Sequence, residues 1–219
     1  ILRAEARRPD WRFPFPERFA ERLTGTGVER LERRSKYLLA RLGWGEPLLR
    51  HLGMSGRFSV TADDLSRQPG DFVYAAPANP THDHVVFHIE GGVTVTYNDP
   101  RRFGFMTLYE TDQEDIQPYL KDLGPEPLSN GFSEDRLNEA FKTRRSPVKA
   151  GLLDQSVVAG LGNIYVCEAL WRSKINPPGV GCGSNRRPGA RRGSSAWRTE
   201  RESVRGGEGT PPAGVRGGG

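Results

Sequence analysis

The stretch LDQSVVAGLGNIY, residues 153–165, decides which kind of helical domain this chain contains. It connects a helix predicted from Pro147 to Leu153 with another helix predicted from Asn163 to Ser173. The first of these is predicted to begin at Pro147 because proline favours the first position of a helix. The nine residues 154–162 that lie between them are too many for a simple helix-turn-helix turn. The apolar side of the second helix is predicted to consist of Ile164, Cys167, Ala169, Leu170 and Trp171.

Outward from this stretch, the pattern stays helical as far back as residue 133. Ser133 is predicted to cap a helix from Glu134 to Thr143, whose apolar residues Leu137, Ala140 and Phe141 recur at helical spacing. The segment Gly124-Pro125-Glu126-Pro127 precedes it and has the composition of a linker.

Between Val28 and Tyr109 the sequence contains short runs that are rich in β-branched and aromatic residues. These runs predict an antiparallel sheet or sandwich. Gly91 and Gly92 separate two of these runs and predict a tight hairpin. A short helix is predicted before the sheet, from Pro16 to Leu23. The five runs are Tyr37–Ala40, Phe58–Val60, His84–Ile89, Val93–Tyr97 and Phe105–Tyr109.

The net charge of +5 is confined to the end of the chain. Residues 179–219 contain 8 Arg and 3 Glu, so the other 178 residues hold 24 basic and 24 acidic side chains and have no net charge. The same 41 residues hold 12 of the 27 glycines and no periodic apolar pattern, which predicts a disordered tail. This tail is either an RNA-binding Arg/Gly segment or an out-of-frame translation of GC-rich DNA, and its composition favours the second interpretation.

Several classes of protein are excluded by the composition. No run approaches the roughly 18 apolar residues that a membrane-spanning helix requires. Two cysteines, Cys167 and Cys182, are too few for a disulfide scaffold or a four-cysteine zinc site. The chain begins with Ile1 and no signal peptide follows, so we expect its natural start to be missing.

Three motifs, in order, resemble the bacterial formamidopyrimidine-DNA glycosylases, which remove oxidised purines from DNA. They are His51–Phe58 (HLGMSGRF), Asn98–Gly104 (NDPRRFG) and the stretch 153–165. The resemblance implies an α+β fold: an antiparallel β-sandwich over 1–111, a hinge over 112–130 and a helix-two-turn-helix domain over 131–178, followed by the disordered Gly/Arg tail over 179–219. It also implies that duplex DNA is the partner.

A glycosylase must flip a base out of the duplex and fill the gap that remains. Met54 lies between turn-forming glycines, and Arg101 and Phe103 follow the turn-forming pair Asp99-Pro100. The resemblance implies that Met54, Arg101 and Phe103 form the intercalating wedge and that Arg101 contacts the orphaned base. The alternatives are a buried methionine and a surface arginine beside a core phenylalanine.

Lys36 precedes an apolar strand and follows two arginines, which alone indicates an exposed basic cluster. The resemblance implies a catalytic role, in which Lys36 assists proton transfer near the reacting sugar and a phosphate. His82 and His84 would place both rings on one face of a strand, but no third metal ligand is nearby. The resemblance implies that His82 contacts DNA and that His84 is structural.

Basic residues also gather around the helix predicted from Pro147 to Leu153, and the helix predicted to start at Asn163 follows a glycine-rich run. Free backbone N–H groups and the positive end of the helix dipole favour a phosphate there. Asn163 could equally be a helix cap. The DNA-binding residues predicted in this region are Arg144, Arg145, Lys149 and Asn163.

Two departures from the family pattern bear on activity. The resemblance implies an N-terminal proline nucleophile, which forms a Schiff base with the sugar, followed by a glutamate; neither is present at Ile1-Leu2. It also implies one structural zinc in a C-terminal four-cysteine finger, so we expect no cofactor or metal in this chain. We therefore expect the complete protein to be a glycosylase and apurinic-site lyase, and this chain to be inactive.

Two alternative functions remain open at this point. One is a glycosylase for oxidised pyrimidines that resembles endonuclease VIII, and the other is a noncatalytic DNA- or RNA-binding protein. In each case we expect a bacterial cytoplasmic, nucleoid-associated monomer without a membrane partner.

Overall fold

A computed structural model of the chain describes residues 1–8, 11–62, 65–67 and 79–177. The chain divides into two compact units, Ile1–Lys121 and Asp122–Gly219. The border lies inside the segment 112–130 that the sequence predicts as a hinge. The predicted disordered tail, 179–219, lies outside the described residues.

The first unit contains two antiparallel sheets. The strands are β1 Arg3–Ala6, β2 Val28–Arg34, β3 Tyr37–Leu42, β4 Leu48–His51, β5 Arg57–Ala62, β6 Leu65–Arg67, β7 Asp83–Ile89, β8 Val93–Asn98 and β9 Phe105–Leu108. One sheet has the strand order β1-β7-β8-β5-β6 and the other has the order β2-β3-β4-β9. The helix α1, Phe19–Leu23, follows β1, and Gly25 adopts a positive φ just after its end.

The predicted hairpin is confirmed. Strands β7 and β8 pair through the turn Glu90–Gly92, in which Gly91 and Gly92 have φ values of 78° and 75°. Glycine is favoured at both positions because a Cβ atom disfavours this left-handed region.

The main core of the first unit lies between the two sheets. Because side chains alternate along a strand, Leu42, Leu48 and Met106 from the second sheet meet Val85 and Tyr97 from the first. A second core covers the other face of the second sheet, where Leu39, Leu49 and Phe105 pack against residues of the 109–120 segment. The sandwich predicted from the sequence is therefore confirmed.

The second unit contains the helices α2 Glu134–Lys142, α3 Val148–Leu153 and α4 Asn163–Arg172. All three lie within a few residues of their predicted bounds. Ser133 caps α2 as predicted, because its hydroxyl oxygen accepts a hydrogen bond from the backbone N–H of Arg136 at 3.2 Å. The core of this unit includes Phe132, Leu137, Phe141, Leu152, Val158, Leu161, Val166 and Leu170.

The predicted apolar side of α4 is partly wrong. Ile164 and Trp171 are 73% and 80% exposed, whereas Val166, Ala169 and Leu170 are buried. The sequence assigns Ile164 and Trp171 to the buried side from their hydrophobicity alone. The side of α4 that is buried packs instead in the core that contains Leu152 and Phe141. No helix in the described part of the chain is long and apolar enough to cross a membrane.

Candidate nucleic-acid interface

Strand pairing brings most of the predicted site residues of the first unit to one end of the sandwich. Tyr37 at the start of β3 pairs with His51 at the end of β4, and His51 pairs with Phe105 at the start of β9. In the other sheet, Asp83 at the start of β7 pairs with Asn98 at the end of β8. Lys36, His82 and the turns that carry Met54, Arg101 and Phe103 all adjoin these strand ends. We call this group of residues the loop end.

Met54 lies at the tip of the turn between β4 and β5 and is 73% exposed, so the buried alternative is wrong. Gly53 has a φ of 69°, and a Cβ atom there would lie 2.5 Å from the nitrogen of Gly104 and 2.6 Å from the carbonyl carbon of Phe103. At Gly56 a Cβ atom would lie 2.1 Å from the carbonyl oxygen of Leu52. The glycines on both sides of Met54 are therefore required by close backbone contact as well as by turn geometry.

Arg101 and Phe103 lie in the turn between β8 and β9, directly against the Met54 turn. The guanidinium carbon of Arg101 is 4.8 Å from the centre of the Phe103 ring, and Phe103 is 41% exposed. The cation therefore contacts the ring while Phe103 stays partly accessible. The structure therefore brings Met54, Arg101 and Phe103 together on adjoining turns, as the sequence predicts.

Lys36 lies in the tight turn between β2 and β3, after Ser35, whose φ of 56° is left-handed. Its side chain is exposed, although neighbouring atoms remove part of its hydration and thereby lower its pKa. A lowered pKa increases the fraction of neutral amine, which is the form that can accept a proton.

His51 belongs to one of the three motifs, although the sequence assigns it no role. Its Nδ1 accepts a hydrogen bond from the backbone N–H of Gly53 at 3.1 Å, so Nε2 carries the proton in the neutral ring. Desolvation lowers the pKa of His51, and the positive charges of Arg12, Lys36 and Arg50 act in the same direction. This concentration of positive charge at the loop end favours a polyanion.

The expectation that His82 and His84 share one strand face is wrong. His82 belongs to a 3-10 turn, Pro80–His82, and the pairing of β7 with β8 is irregular between Asp83 and Val85. His82 is half-buried at the loop end, where its carbonyl accepts a hydrogen bond from the N–H of Asp99. His84 is buried, and its Nε2 donates to the carbonyl of Asp99 at 2.8 Å, which is a structural role.

In the second unit, Gln155 closes the long connection between α3 and α4. Its amide nitrogen donates to the carbonyls of Leu153 and Leu161, at 2.9 and 3.1 Å. Its amide oxygen accepts from the N–H of Gly160 at 2.9 Å, where the backbone has a φ of 95°. Gln155 therefore shapes this turn, a role that its place in the motif does not reveal.

The start of α4 leaves its backbone N–H groups without a side-chain cap. The N-cap is Gly162, which makes no side-chain hydrogen bond, so the capping alternative for Asn163 is wrong. Asn163 is exposed in the first turn, and its Oδ1 lies 3.7 Å from the sulfur of Cys167. An uncapped helix start next to an exposed amide side chain fits an anionic group.

The basic residues of this unit differ in their surroundings. Arg144 forms an ion pair with Asp154 at 2.8 Å, while Arg145 is exposed and Lys149 is half-buried in the first turn of α3. The hydroxyl of Ser156 is the main cause that lowers the pKa of Asp154, and Arg144 adds to it. Arg144 therefore supports the connection between the helices, in addition to any contact that it makes with a ligand.

The fold and the site define a class of two-unit protein, in which a β-sandwich with exposed apolar turns is followed by a helix pair joined by a long two-turn connection. Two family models match the chain: the formamidopyrimidine-DNA glycosylase N-terminal domain over residues 1–106, and the H2TH domain of the same enzyme over residues 123–189. The chain belongs to the formamidopyrimidine-DNA glycosylase family.

Individual relatives agree with this assignment. The formamidopyrimidine-DNA glycosylases of Ruegeria pomeroyi and Roseobacter denitrificans are 60% and 59% identical to this chain over 177 residues, which are 81% of the chain. The chain spans about 61% of the length of these curated relatives. A crystal structure of Lactococcus lactis Fpg in complex with abasic-site DNA is 30% identical, with a TM-score of 0.76 over 94% of this chain and 71% of that protein.

The zinc that the family resemblance implies does not fit the residues that the structure describes. Within that part of the chain, no three His, Cys, Asp or Glu side chains come together as metal ligands. Cys167 faces Asn163 on its own helix, and Cys182 lies outside the described residues. The described units are held by their apolar cores and hydrogen bonds.

Proposed function

We propose that this chain recognises duplex DNA that carries a damaged or missing base, and that the complete protein is a base-excision DNA glycosylase and apurinic-site lyase for oxidised purines. The observation that carries the proposal is the group of three exposed side chains, Met54, Arg101 and Phe103, on adjoining turns at the loop end. Exposed apolar side chains on rigid turns are suited to enter a base stack, where they replace a base that has left it.

The second unit supplies contacts of another kind. The uncapped start of α4, with Asn163, and the basic residues Arg145 and Lys149 are suited to phosphate groups. Such contacts position the duplex but do not distinguish a damaged base from an intact one. Recognition of damaged duplex is supported by a relative of known structure, since Lactococcus lactis Fpg was crystallised with abasic-site DNA and with Fapy-dG DNA.

In this proposal Lys36 has a catalytic role, and His82, Arg101 and Arg144 contact DNA. Lys36 lies at the same end of the sandwich as the wedge, and its lowered pKa suits proton transfer next to a phosphate. We further propose that the protein is a monomer in the bacterial cytoplasm, associated with the nucleoid, with no membrane partner and no metal bound by this chain.

The first test is equilibrium binding to duplexes that differ at one position, which holds 8-oxoguanine, an abasic site, an oxidised pyrimidine or intact guanine. We expect tighter binding to the abasic and oxidised-purine duplexes. Met54→Ala should reduce this preference, whereas Leu31→Ala, which removes an equally exposed apolar side chain from β2, should not. Equal affinity of the unaltered chain for all four duplexes would contradict the proposal.

The second test addresses the chemistry. A chimera of this chain with the segments that flank the match in the Ruegeria pomeroyi relative should give a borohydride-trapped complex with abasic DNA. Lys36→Ala in the chimera should slow the excision of 8-oxoguanine, while Arg18→Ala, whose exposed side chain pairs with Glu21, should not. Unchanged excision in Lys36→Ala would remove Lys36 from the catalytic residues.

An oxidised-pyrimidine specificity is the second candidate, because Lactococcus lactis Fpg was also crystallised with DNA containing an oxidised pyrimidine. The same set of duplexes decides between the two. Preferential binding to the oxidised-pyrimidine duplex, and preferential excision from it by the chimera, would favour this candidate over the oxidised-purine activity.

A further inference from the structure

A buried carboxylate lies beneath the two wedge turns. Asp99 has no exposed surface, and its two oxygens accept hydrogen bonds from three different parts of the loop end. Oδ1 accepts from the hydroxyl of Ser55 in the Met54 turn at 2.5 Å. Oδ2 accepts from the N–H of Gly104 at 2.9 Å and from the hydroxyl of Tyr97 at 3.1 Å. One side chain therefore joins both turns to the core.

The wedge turns are also joined by bonds that depend on this arrangement. Ser55, held by Asp99, accepts a hydrogen bond from the N–H of Arg101 at 3.3 Å. The hydroxyl of Tyr97 also lies 3.1 Å from the carbonyl of Leu52, where the Met54 turn begins. A shift of the Asp99 carboxylate would consequently release both turns together.

A buried cation accompanies this carboxylate. Arg50 is 2% exposed, and its guanidinium carbon lies 3.4 Å from the ring centre of Phe58 and 3.7 Å from that of Tyr97. Its guanidinium nitrogens make no hydrogen bond within the described part of the chain. Burial lowers the pKa of Arg50 to about 9, while Tyr97 and the negative charge of Asp99 act in the opposite direction, so the group remains charged at neutral pH.

We propose that Asp99 is a positioning residue that, with the Arg50 guanidinium stacked on the Tyr97 ring as its counter-charge, holds the Met54 turn and the Arg101–Phe103 turn as one preformed wedge. This inference rests on the proposed function for its consequence on DNA, but the rigidity of the turns is a property of the free protein. Preformed turns spare the cost of ordering them when the DNA binds.

Asp99→Asn tests the role of the carboxylate with little change in volume. An amide has only one acceptor oxygen, so its NH₂ group must face either the Gly104 N–H, which can only donate, or the Ser55 hydroxyl, which would then lose its own donation to residue 99. Glu114→Gln is the matched control, because the Glu114 carboxylate is also part of a hydrogen-bonded network, with Arg41 and Tyr109, in the same unit.

The first measurement is hydrogen exchange of the free chain, residue by residue. We expect Asp99→Asn to accelerate exchange at Gly56, Arg101 and Gly104 by about 10- to 100-fold, the range for loss of hydrogen bonds to a charged group. Exchange at Val86 and Val95, in the sheet, should change far less, and Glu114→Gln should leave all five amides within about twofold. Unchanged exchange in the turns, or equal acceleration in the turns and the sheet, would overturn the proposal.

The counter-charge is tested with a double-variant cycle. In the background of Arg50→Met, which keeps an unbranched apolar stem against Phe58 and Tyr97, Asp99→Asn should accelerate exchange at Gly104 less than it does alone. An identical acceleration in both backgrounds would remove Arg50 from the arrangement.

The second measurement uses duplexes with 2-aminopurine next to an abasic site, where fluorescence reports unstacking. Asp99→Asn should lower the fluorescence change at saturating protein and leave affinity for undamaged duplex unaltered, whereas Glu114→Gln should change neither. A full fluorescence change in Asp99→Asn, despite faster exchange in its turns, would overturn the positioning role. If the unaltered chain did not distinguish damaged from intact duplex, the proposed function would be contradicted. The positioning role of Asp99 would still be decided by the exchange data, which are measured on the free protein.

Discussion

The two units present a ligand surface in opposite ways. At the loop end of the sandwich, the exposed groups are side chains, Met54, Arg101 and Phe103, on turns that touch each other. In the helical unit, the surface suited to a ligand is the start of α4, where the backbone N–H groups have no side-chain cap, next to a connection closed by Gln155. In the proposed function, the first arrangement senses a gap in a base stack, whereas the second binds phosphate groups.

Gly53→Ala, in the sandwich, should have the largest effect of the substitutions considered, and the effect is on stability. The new Cβ atom would lie within 2.6 Å of backbone atoms of Phe103 and Gly104, in addition to the strain of a positive φ. We expect the free energy of unfolding to fall by about 3 kcal/mol or more. Gly91→Ala is the control, since its φ of 78° is similar and nothing lies within 4 Å, so it should cost only about 1–2 kcal/mol. Equal losses in urea unfolding would mean that the two turns do not constrain each other.

Gln155→Ala should destabilise the connection between α3 and α4 in the helical unit. It removes three hydrogen bonds that close the connection, and we expect a loss of about 2 kcal/mol in the stability of the second unit. Affinity should fall equally for damaged and intact duplex, as measured by fluorescence anisotropy. Gln113→Ala, at an exposed glutamine, should change neither quantity, and a selective loss for damaged duplex in Gln155→Ala would contradict the division of labour.

Phe103→Ala should separate the two kinds of contact in the chimera. Insertion of the ring costs unstacking, which is smaller when the base is already missing. Single-turnover excision of paired 8-oxoguanine should therefore fall by about tenfold more than nicking at a preformed abasic site. Arg101→Ala should behave in the same way, and Lys149→Ala should slow both reactions similarly. Equal losses on both substrates would mean that Phe103 supports the turn by packing and does not enter the base stack.

Removal of residues 179–219 should have a smaller effect, confined to charge. The segment contains 8 Arg and 3 Glu, so the shortened chain should show a flatter dependence of binding on salt. The slope of log K against log salt should change by about 0.9 for each phosphate that the segment neutralises. The ratio of affinities for damaged and intact duplex should stay the same, and a fall in that ratio would make the tail a recognition element.

The pH dependence of the sandwich should show the smallest effect. His51 binds a proton less tightly in the folded protein than in the unfolded chain, where its pKa is 6.5. Below that pH the unfolded state takes up more protons, so the free energy of unfolding should decrease as the pH falls from about 7.5 to about 5.5. His51→Gln should reduce this slope in urea unfolding. The lowered pKa of Asp154 stabilises the second unit at every pH above the group's ordinary value of 3.8, so this contribution should be lost only as the pH falls below that value.

The elements that could be predicted from the sequence are those whose signals are local. The hairpin at Gly91-Gly92, the cap at Ser133 and the helices on either side of 154–162 depend on residues within one turn of each other. Exposure of Met54 was likewise predictable, because the adjacent glycines indicate a tight turn.

The remaining features depend on contacts between residues distant in sequence. Asp99 could be recognised only as a turn residue, since its partner Ser55 lies 44 positions away. Arg50 lies in an apolar run, where a charged side chain gives no sign of the aromatic rings that enclose it. The exposure of Trp171 could not be inferred either, because hydrophobicity identifies residues suited to burial without showing which face of a helix is covered.

The hairpin turn Glu90–Gly92 connects the ends of β7 and β8 that are opposite to the loop end. Around Gly91 there is open space, because nothing lies within 4 Å of the position that a Cβ atom would take. This turn is therefore a natural position at which to insert a short peptide tag or attach a fluorophore. A fluorophore at this position would report on the rotational diffusion of the protein, and a tag there would allow its immobilisation on a surface. In both cases the loop end would remain accessible.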